Sequence, residues 1–255
     1  MPAQYQLTVA HNDSLTPHMR RIRLTGSDLR DFPADQESGY VKLLVEREDG
    51  ETVPRSYTIR AFDARREMLT LDFVDHGDSG PASAWARRAE PGAAVTIRGP
   101  GEKKLADPAA DWFFLAADLS ALPALAVNLE VLRRDASGYA IIEVPSLDDR
   151  QNIDAPTGID VQWIVNEDAA APNRALVDTV LRQPWLEGRA YPWFAGEFDG
   201  MRALRKYFRD ERGIDRKAMY LSCYWKLGDT DEGMKKAKRR DAESDAQTLT
   251  AVGAR

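Results

Sequence analysis

Residues 112–131 read WFFLAADLSALPALAVNLEV, and they decide the fold. WFFLAAD is an unbroken apolar run that closes on Asp118. A strand with one face in water alternates polar and apolar residues; an unbroken run predicts a strand buried on both faces. LSALPALAVNLEVLRRD then reads as a helix with Pro123 near its start, where a missing N–H is tolerated. The unit repeats downstream. YAIIEVPS is a second strand and IDVQWIVNE a third, followed by the helical NRALVDTVLRQ. AYPWFAGEF is a fourth, followed by GMRALRKYFRDERG, and KAMYLSCYWKLG is a fifth. Strands alternating with helices predict a parallel α/β sheet.

Upstream of Asp107-Pro108 the pattern is different. YQLTVAHND, HMRRIRLTG, YVKLLVERE, RSYTIRAFD, LTLDFVDHG and AVTIRGPG read as short strands separated by Gly, Pro and Asp. Such a series predicts an antiparallel barrel or sandwich. One helix interrupts it: GPASAWARRAE, with Pro81 in its first turn and Pro91-Gly92 after its end. The expected division is residues 1–107, a β-barrel domain; 108–229, an α/β domain; and 230–255, a charged helix or tail with no apolar face. Open parallel sheets take ligands beyond the C-terminal ends of their strands. A cleft between the two domains is therefore where a ligand is expected.

Composition narrows the function. The chain has 255 residues, 43% hydrophobic and 30% charged, with a net charge of −6, which argues against broad nucleic-acid binding. The single cysteine, Cys223, excludes an internal disulfide framework. His11, His18, His76 and Cys223 are too scattered for a zinc site, so any iron or other metal handled is expected to arrive as a ligand rather than sit in a built-in site. No apolar leader segment or bilayer-length apolar run is evident. The expectation is a cytoplasmic monomer without integral membrane association.

Five segments carry candidate chemistry. In Arg55-Ser56-Tyr57-Thr58, a guanidinium can grip a phosphate, an aromatic can pack on a flat heterocycle, and hydroxyls can bond ring nitrogens. An exposed strand with a surface arginine is the ordinary alternative. HGDSGPASAW, residues 76–85, leads through His76, Gly77 and Gly80 into a helix start at Pro81, Ala82 and Ser83, whose free N–H groups suit a phosphate. A plain strand–turn–helix connection reads the same way. Its GDSGP also looks like a serine-protease nucleophile loop, but partner residues and disulfides are lacking. AADLSALPAL, with Asp118 and Ser120, opens a helix where α/β domains meet pyrophosphates, without a GxGxxG pattern. Ala195-Gly196-Glu197 ends a strand with room for close approach at Gly196. In CYWKLG, residues 223–228, Tyr224 and Trp225 either cover a cofactor or fill the core.

In order along the chain, RSYTIR, HGDSGPASAWA, RGPG, AADLSALPA, IIEVPSLDDRQ, WFAGE and CYWKLG resemble one family, the siderophore-interacting proteins, flavin-dependent ferric-siderophore reductases of the ferredoxin-NADP reductase-like group. The likeness spans roughly residues 5–228, and HG-x-x-GPAS-x-WA is its most specific element. It implies a two-domain fold: an N-terminal antiparallel β-barrel that binds FAD, then a C-terminal α/β parallel-sheet domain that binds NADPH or NADH. By resemblance, Arg55 would hold an FAD phosphate, with Ser56 alongside. Tyr57 would lie along the isoalloxazine and Thr58 near its N5. Gly80, Pro81, Ala82 and Ser83 would receive the pyrophosphate, with His76 and Gly77 also counted as cofactor-binding. Asp118, Ser120, Ala195, Gly196 and Glu197 would approach the nicotinamide nucleotide, and Trp225 is also counted as cofactor-binding. Arg202 and Arg205, which follow the AGE turn, are candidates to meet a ribose 2′-phosphate.

The implied activity is reduction of Fe(III) in a ferric siderophore, with release of Fe(II). A nicotinamide gives two electrons while iron accepts one, and a flavin links the two. No side-chain acid or nucleophile is required. Anionic chelates call for cations, and Lys42 is the first candidate, followed by Lys103, Lys104 and Lys226. A flavin oxidoreductase with another acceptor, and a siderophore-binding protein without catalysis, remain open alternatives.

Overall fold

The structure is a computed structural model. It describes the whole chain except residues 1, 48, 78, 79, 169, 254 and 255, and only the backbone of 246–253. Asp78 and Ser79 of the HGDSGPASAW element therefore lie outside the described residues.

The N-terminal half is a closed antiparallel barrel. Its strands are β1 (Gln4–Thr16), β2 (Met19–Thr25), β3 (Tyr40–Glu46), β4 (Thr52–Asp63), β5 (Met68–Val74) and β6 (Ala94–Gly101), ordered β1-β2-β5-β4-β3-β6. Closure removes the sheet edges that would otherwise invite aggregation. Alternation places Val41, Leu43 and Val45 of β3 and Leu69, Leu71 and Phe73 of β5 inside. Helix α1 (Pro81–Arg88) covers the barrel between β5 and β6, burying Ala82, Ser83 and Ala86.

The second half is a parallel sheet ordered β11-β10-β7-β8-β9. Its strands are β7 (Trp112–Asp118), β8 (Ser137–Val144), β9 (Gly158–Val165), β10 (Ala190–Glu197) and β11 (Tyr220–Trp225). Strand β7 is buried at every position. Phe113, Leu115 and Ala117 join the core on one side, while Trp112, Phe114 and Ala116 join the core on the other. An unbroken apolar run with period-2 alternation between two cores is what a covered central strand requires. Helix α2 (Leu122–Val131) is buried from Leu122 to Leu129. It lies between the sheet and the barrel, and Arg60 of β4 ion-pairs with its Glu130. Helices α3 (Arg174–Arg182) and α4 (Phe198–Lys206) lie on the other face, where Leu176, Val180, Met201 and Leu204 are buried.

HMRRIRLTG alternates apolar and basic residues, and β2 follows the alternation: Met19, Ile22 and Leu24 are fully buried while Arg20, Arg21 and Arg23 are half-buried. Met19 reaches the core of the α/β half, a burial that stabilises by about 1.5–3 kcal/mol. The charged tail forms α5 (Asp231–Gly253), and it does bury apolar surface: Met234 sits in the core beside α4. Ion pairs hold α5 at Asp241 and Asp245, with Arg205 bidentate to Asp241 at 2.7 and 2.8 Å, Arg202 on Asp241 at 3.1 Å, and Arg209 on Asp245. A one-methionine contact with complementary charges leaves no hydrophobic period to read.

The halves are also latched by Asp149. Its buried carboxylate accepts from the Thr16 hydroxyl (2.8 Å) and the His18 N–H (2.9 Å), and its other oxygen meets His18 Nδ1 at 2.7 Å. Burial raises the Asp149 pKa, but the bonds from His18 and Thr16 outweigh it and leave the group below its ordinary value. A depressed carboxylate stabilises the fold above its unfolded pKa and loses that contribution as pH falls through the folded value. Melting temperature should therefore drop as pH falls below about 4, and the drop should be shallower in Asp149→Asn. Identical acid profiles for both proteins would remove Asp149 from the account.

Candidate functional site

One corner of the barrel is splayed. Strand β4 pairs with β3 from Thr52 to Thr58, but with β5 only from Ile59, opposite Leu71. Beyond that point β5 continues along β2, ending with Val74 opposite Met19. Residues 55–58 thus keep one backbone edge unpaired with any strand, facing Asp72 and Val74 across a slot. The slot opens into a cleft of about 1430 Å³ between the barrel and the C-terminal ends of the sheet strands. Small-molecule pockets run to roughly 1,000 Å³, so this one has room for a dinucleotide.

The barrel wall carries Arg55, Ser56, Tyr57, Thr58, His76 and Lys104. The Arg55 guanidinium donates to the Pro54 carbonyl (2.9 Å) and lies 3.8 Å from Asp231 at the start of α5. The Tyr57 ring packs on Phe73 at 4.0 Å between centroids, and Phe73 on Trp85 of α1 at 5.7 Å. Burial raises the Tyr57 pKa, so its phenol stays protonated. Thr58 is buried and lines the cleft, as does Tyr224. The α1 start lies beside this wall: a Cβ on Gly80 would stand 3.6 Å from His76 Cε1. Gly80 and Gly77 have positive φ (109° and 75°), and the N-cap position is Gly80, which has no side chain to cap the helix. Ser83 instead braces the loop, donating from Oγ to the Gly77 carbonyl at 2.8 Å.

The facing wall carries Asp118, Ser120, Trp225 and Lys226. Asp118 is the hub. Its Oδ1 accepts from Ser120 N and Oγ (3.0 and 2.5 Å), and its Oδ2 from Trp225 Nε1 (2.8 Å) and Asn173 Nδ2 (3.3 Å). Burial pushes its pKa up, against these bonds. Glu143 accepts from Asn173 N at 2.8 Å and Leu176 N at 3.2 Å, fixing the β9–α3 loop. Glu197 accepts from Asp199 N (2.5 Å), Gly200 N and Leu227 N. Burial pushes the Cys223 thiol up to about 12, so it is no nucleophile.

Several expected residues stand elsewhere. Ala195, Gly196 and Glu197 are buried behind the wall, and Gly196 makes room for protein groups: a Cβ there would lie 2.7 Å from Asp118 Oδ2 and 2.8 Å from Asn173 Oδ1. Gly77, Gly80, Pro81, Ala82 and Ser83 lie outside the cleft lining, in or next to the α1 start. Lys104 and Lys226 line the cleft; Lys42 and Lys103 do not. Lys42 is exposed on β3 opposite Ser56, and Lys103 Nζ donates to the Asp35 carbonyl. Asn173 was not foreseen, although an Asn at a helix start is a capping signal; it adopts φ 60° and bridges Asp118, Glu143 and Glu197. Met234, Lys235 and Lys238 of α5 also line the cleft. Among the described residues, no cluster of three or more metal-ligating side chains exists, and no helix is long and apolar enough to cross a membrane.

Comparison with known proteins fits this geometry. Residues 110–228 match the model of the siderophore-interacting protein family, and residues 8–54 and 46–104 match its siderophore-interacting FAD-binding domain. The chain belongs to the siderophore-interacting proteins. Among siderophore-interacting relatives, the ferric vibriobactin reductase ViuB of Vibrio cholerae is 32% identical, over 86% of this chain and 88% of its own. The crystal structure of the siderophore-interacting protein SipS from Aeromonas hydrophila superposes with a TM-score of 0.85 at 31% identity, covering 95% of this chain and 99% of that one. Ferredoxin-NADP+ reductase from Plasmodium falciparum, at 13% identity and a TM-score of 0.65 over 87% of this chain and 96% of its own, shares the fold.

Proposed function

We propose that the chain is an FAD-containing reductase that takes electrons from a reduced nicotinamide nucleotide and reduces Fe(III) in ferric siderophores, releasing Fe(II). The splayed β4–β5 corner carries this reading. It presents a cation, an aromatic ring and an unpaired backbone edge to a dinucleotide-sized cleft, and a helix start with glycine at its N-cap lies beside it. These groups fit FAD. Arg55 would grip a phosphate through its fork, and the N–H groups at the start of α1 would take the neighbouring one. Tyr57, backed by Phe73 and Trp85, would support the ring system, and the Thr58 hydroxyl would face its polar edge. FAD bound there supplies the redox chemistry, accepting electrons in pairs and releasing them singly.

The remaining work is positioning. Asp118 holds the Trp225 indole over the sheet edge, and Ser120 and the α2 start stand ready for the nicotinamide nucleotide. Lys104 and Lys226 would attract an anionic ferric chelate, with Lys42 and Lys103 as outlying cations. Iron enters as substrate, and reduction weakens its hold on hard oxygen ligands. The ViuB relative supports the siderophore as acceptor.

A visible spectrum tests the reading. Purified protein should be yellow, bleach anaerobically with NADH or NADPH, and regain colour when a ferric siderophore is added. Recovery with a quinone but with no ferric chelate would favour a different acceptor. Colourless protein that refuses FAD yet binds ferric chelates would make it a carrier.

A further inference from the structure

Resting on that reading of the cleft, we propose that its electron donor is NADH and that it discriminates against NADPH. The strand order β11-β10-β7-β8-β9 reverses between β7 and β10, and open parallel sheets take dinucleotides across that point. From Asp118 and Ser120 the wall continues over the ends of β8 and β9, past Glu143, Asn166, Glu167, Asp168 and Asn173. Among the described residues, this flank of the lining holds carboxylates and amides and no cation. Arg174, next along the chain, is exposed and outside the lining.

That composition suits ribose hydroxyls, which donate to carboxylates. A 2′-phosphate has only acceptors to offer at neutral pH and would face Glu167 and Asp168 with like charge. The two arginines best placed in sequence to offset it point elsewhere. Arg205 is bidentate to Asp241, and Arg202 is shared between Asp241 at 3.1 Å and Asp199 at 3.8 Å. On the opposite flank each lysine already has an acceptor: Lys226 has Asp229 at 2.7 Å, Lys235 has Asp231, and Lys238 has Ser222 Oγ and the Cys223 carbonyl at 3.3 Å.

The test is calorimetric titration of the oxidised, flavin-loaded protein with NAD+ and NADP+, paired with anaerobic bleaching by NADH and NADPH. NAD+ should bind about tenfold or more tightly, as like-charge juxtaposition demands, and NADH should bleach faster. The double variant Glu167→Arg, Asp168→Arg should narrow or invert the ratio, whereas Arg174→Ala should leave it in place. Equal or tighter NADP+ binding, or a ratio unmoved by the double variant, overturns the preference while leaving the reductase reading intact. If neither nucleotide binds or bleaches, the nicotinamide donor itself is wrong and the preference goes with it.

Discussion

Arg55→Ala should purify colourless. Hydrogen bonds between charged groups contribute about 1.5–3 kcal/mol, so FAD affinity should fall roughly 10–100-fold, read by fluorescence titration of apoprotein. The fold should survive. Apart from the neighbouring Pro54 carbonyl, the guanidinium's recorded partner is Asp231 at 3.8 Å, and such partly exposed pairs contribute about 0–1 kcal/mol. Arg55→Lys should fall between parent and alanine variant, keeping the charge but losing the planar fork. An alanine variant that keeps its flavin with unchanged affinity would show that the phosphate sits elsewhere in the cleft.

Gly196→Ala attacks the other wall. Its new methyl would stand 2.7 Å from Asp118 Oδ2, 2.8 Å from Asn173 Oδ1 and 2.9 Å from Phe194 Cζ. None of these can retreat cheaply, because Asp118 is held by Ser120 and Trp225, and Asn173 by Glu143. Overpacking of this kind costs about 1–3 kcal/mol, or a melting-temperature drop of roughly 2–12 °C for a chain of this size. Displacing Asp118 also frees the Trp225 indole, so reduction by the nicotinamide nucleotide should slow while FAD stays bound. A variant with parental stability and parental bleaching rate would mean that the wall yields without consequence.

The fold was largely legible. β7 announces itself because a strand covered on both faces must be apolar throughout, and the alternating β and α segments leave few other arrangements. The β4–β5 splay was not legible. RSYTIRAFD continues in strand character across Ile59, and nothing local says that pairing with β5 begins only there. Arg55, Tyr57 and Asp118, which line the cleft, stand out in the sequence because their chemistry is unusual in a strand or at its end. Asn173 was missed because its role depends on two carboxylates, Asp118 and Glu143, and the backbone N–H of Glu197, contributed by three different strands. Gly196 was singled out correctly as needing space, but the space serves two buried side chains, which only tertiary packing can reveal. The α5 helix escaped an apolar reading since one methionine and a row of charges have no period.

The carboxylate of Asp231 already stands near the Arg55 guanidinium. An anion arriving at Arg55 would compete with that resident one, and the net gain would be the difference between two attachments. Since Asp231 opens α5, whatever took its place at Arg55 would also bear on where that helix begins. Occupancy of the barrel corner and seating of α5 would then be coupled through a single side chain.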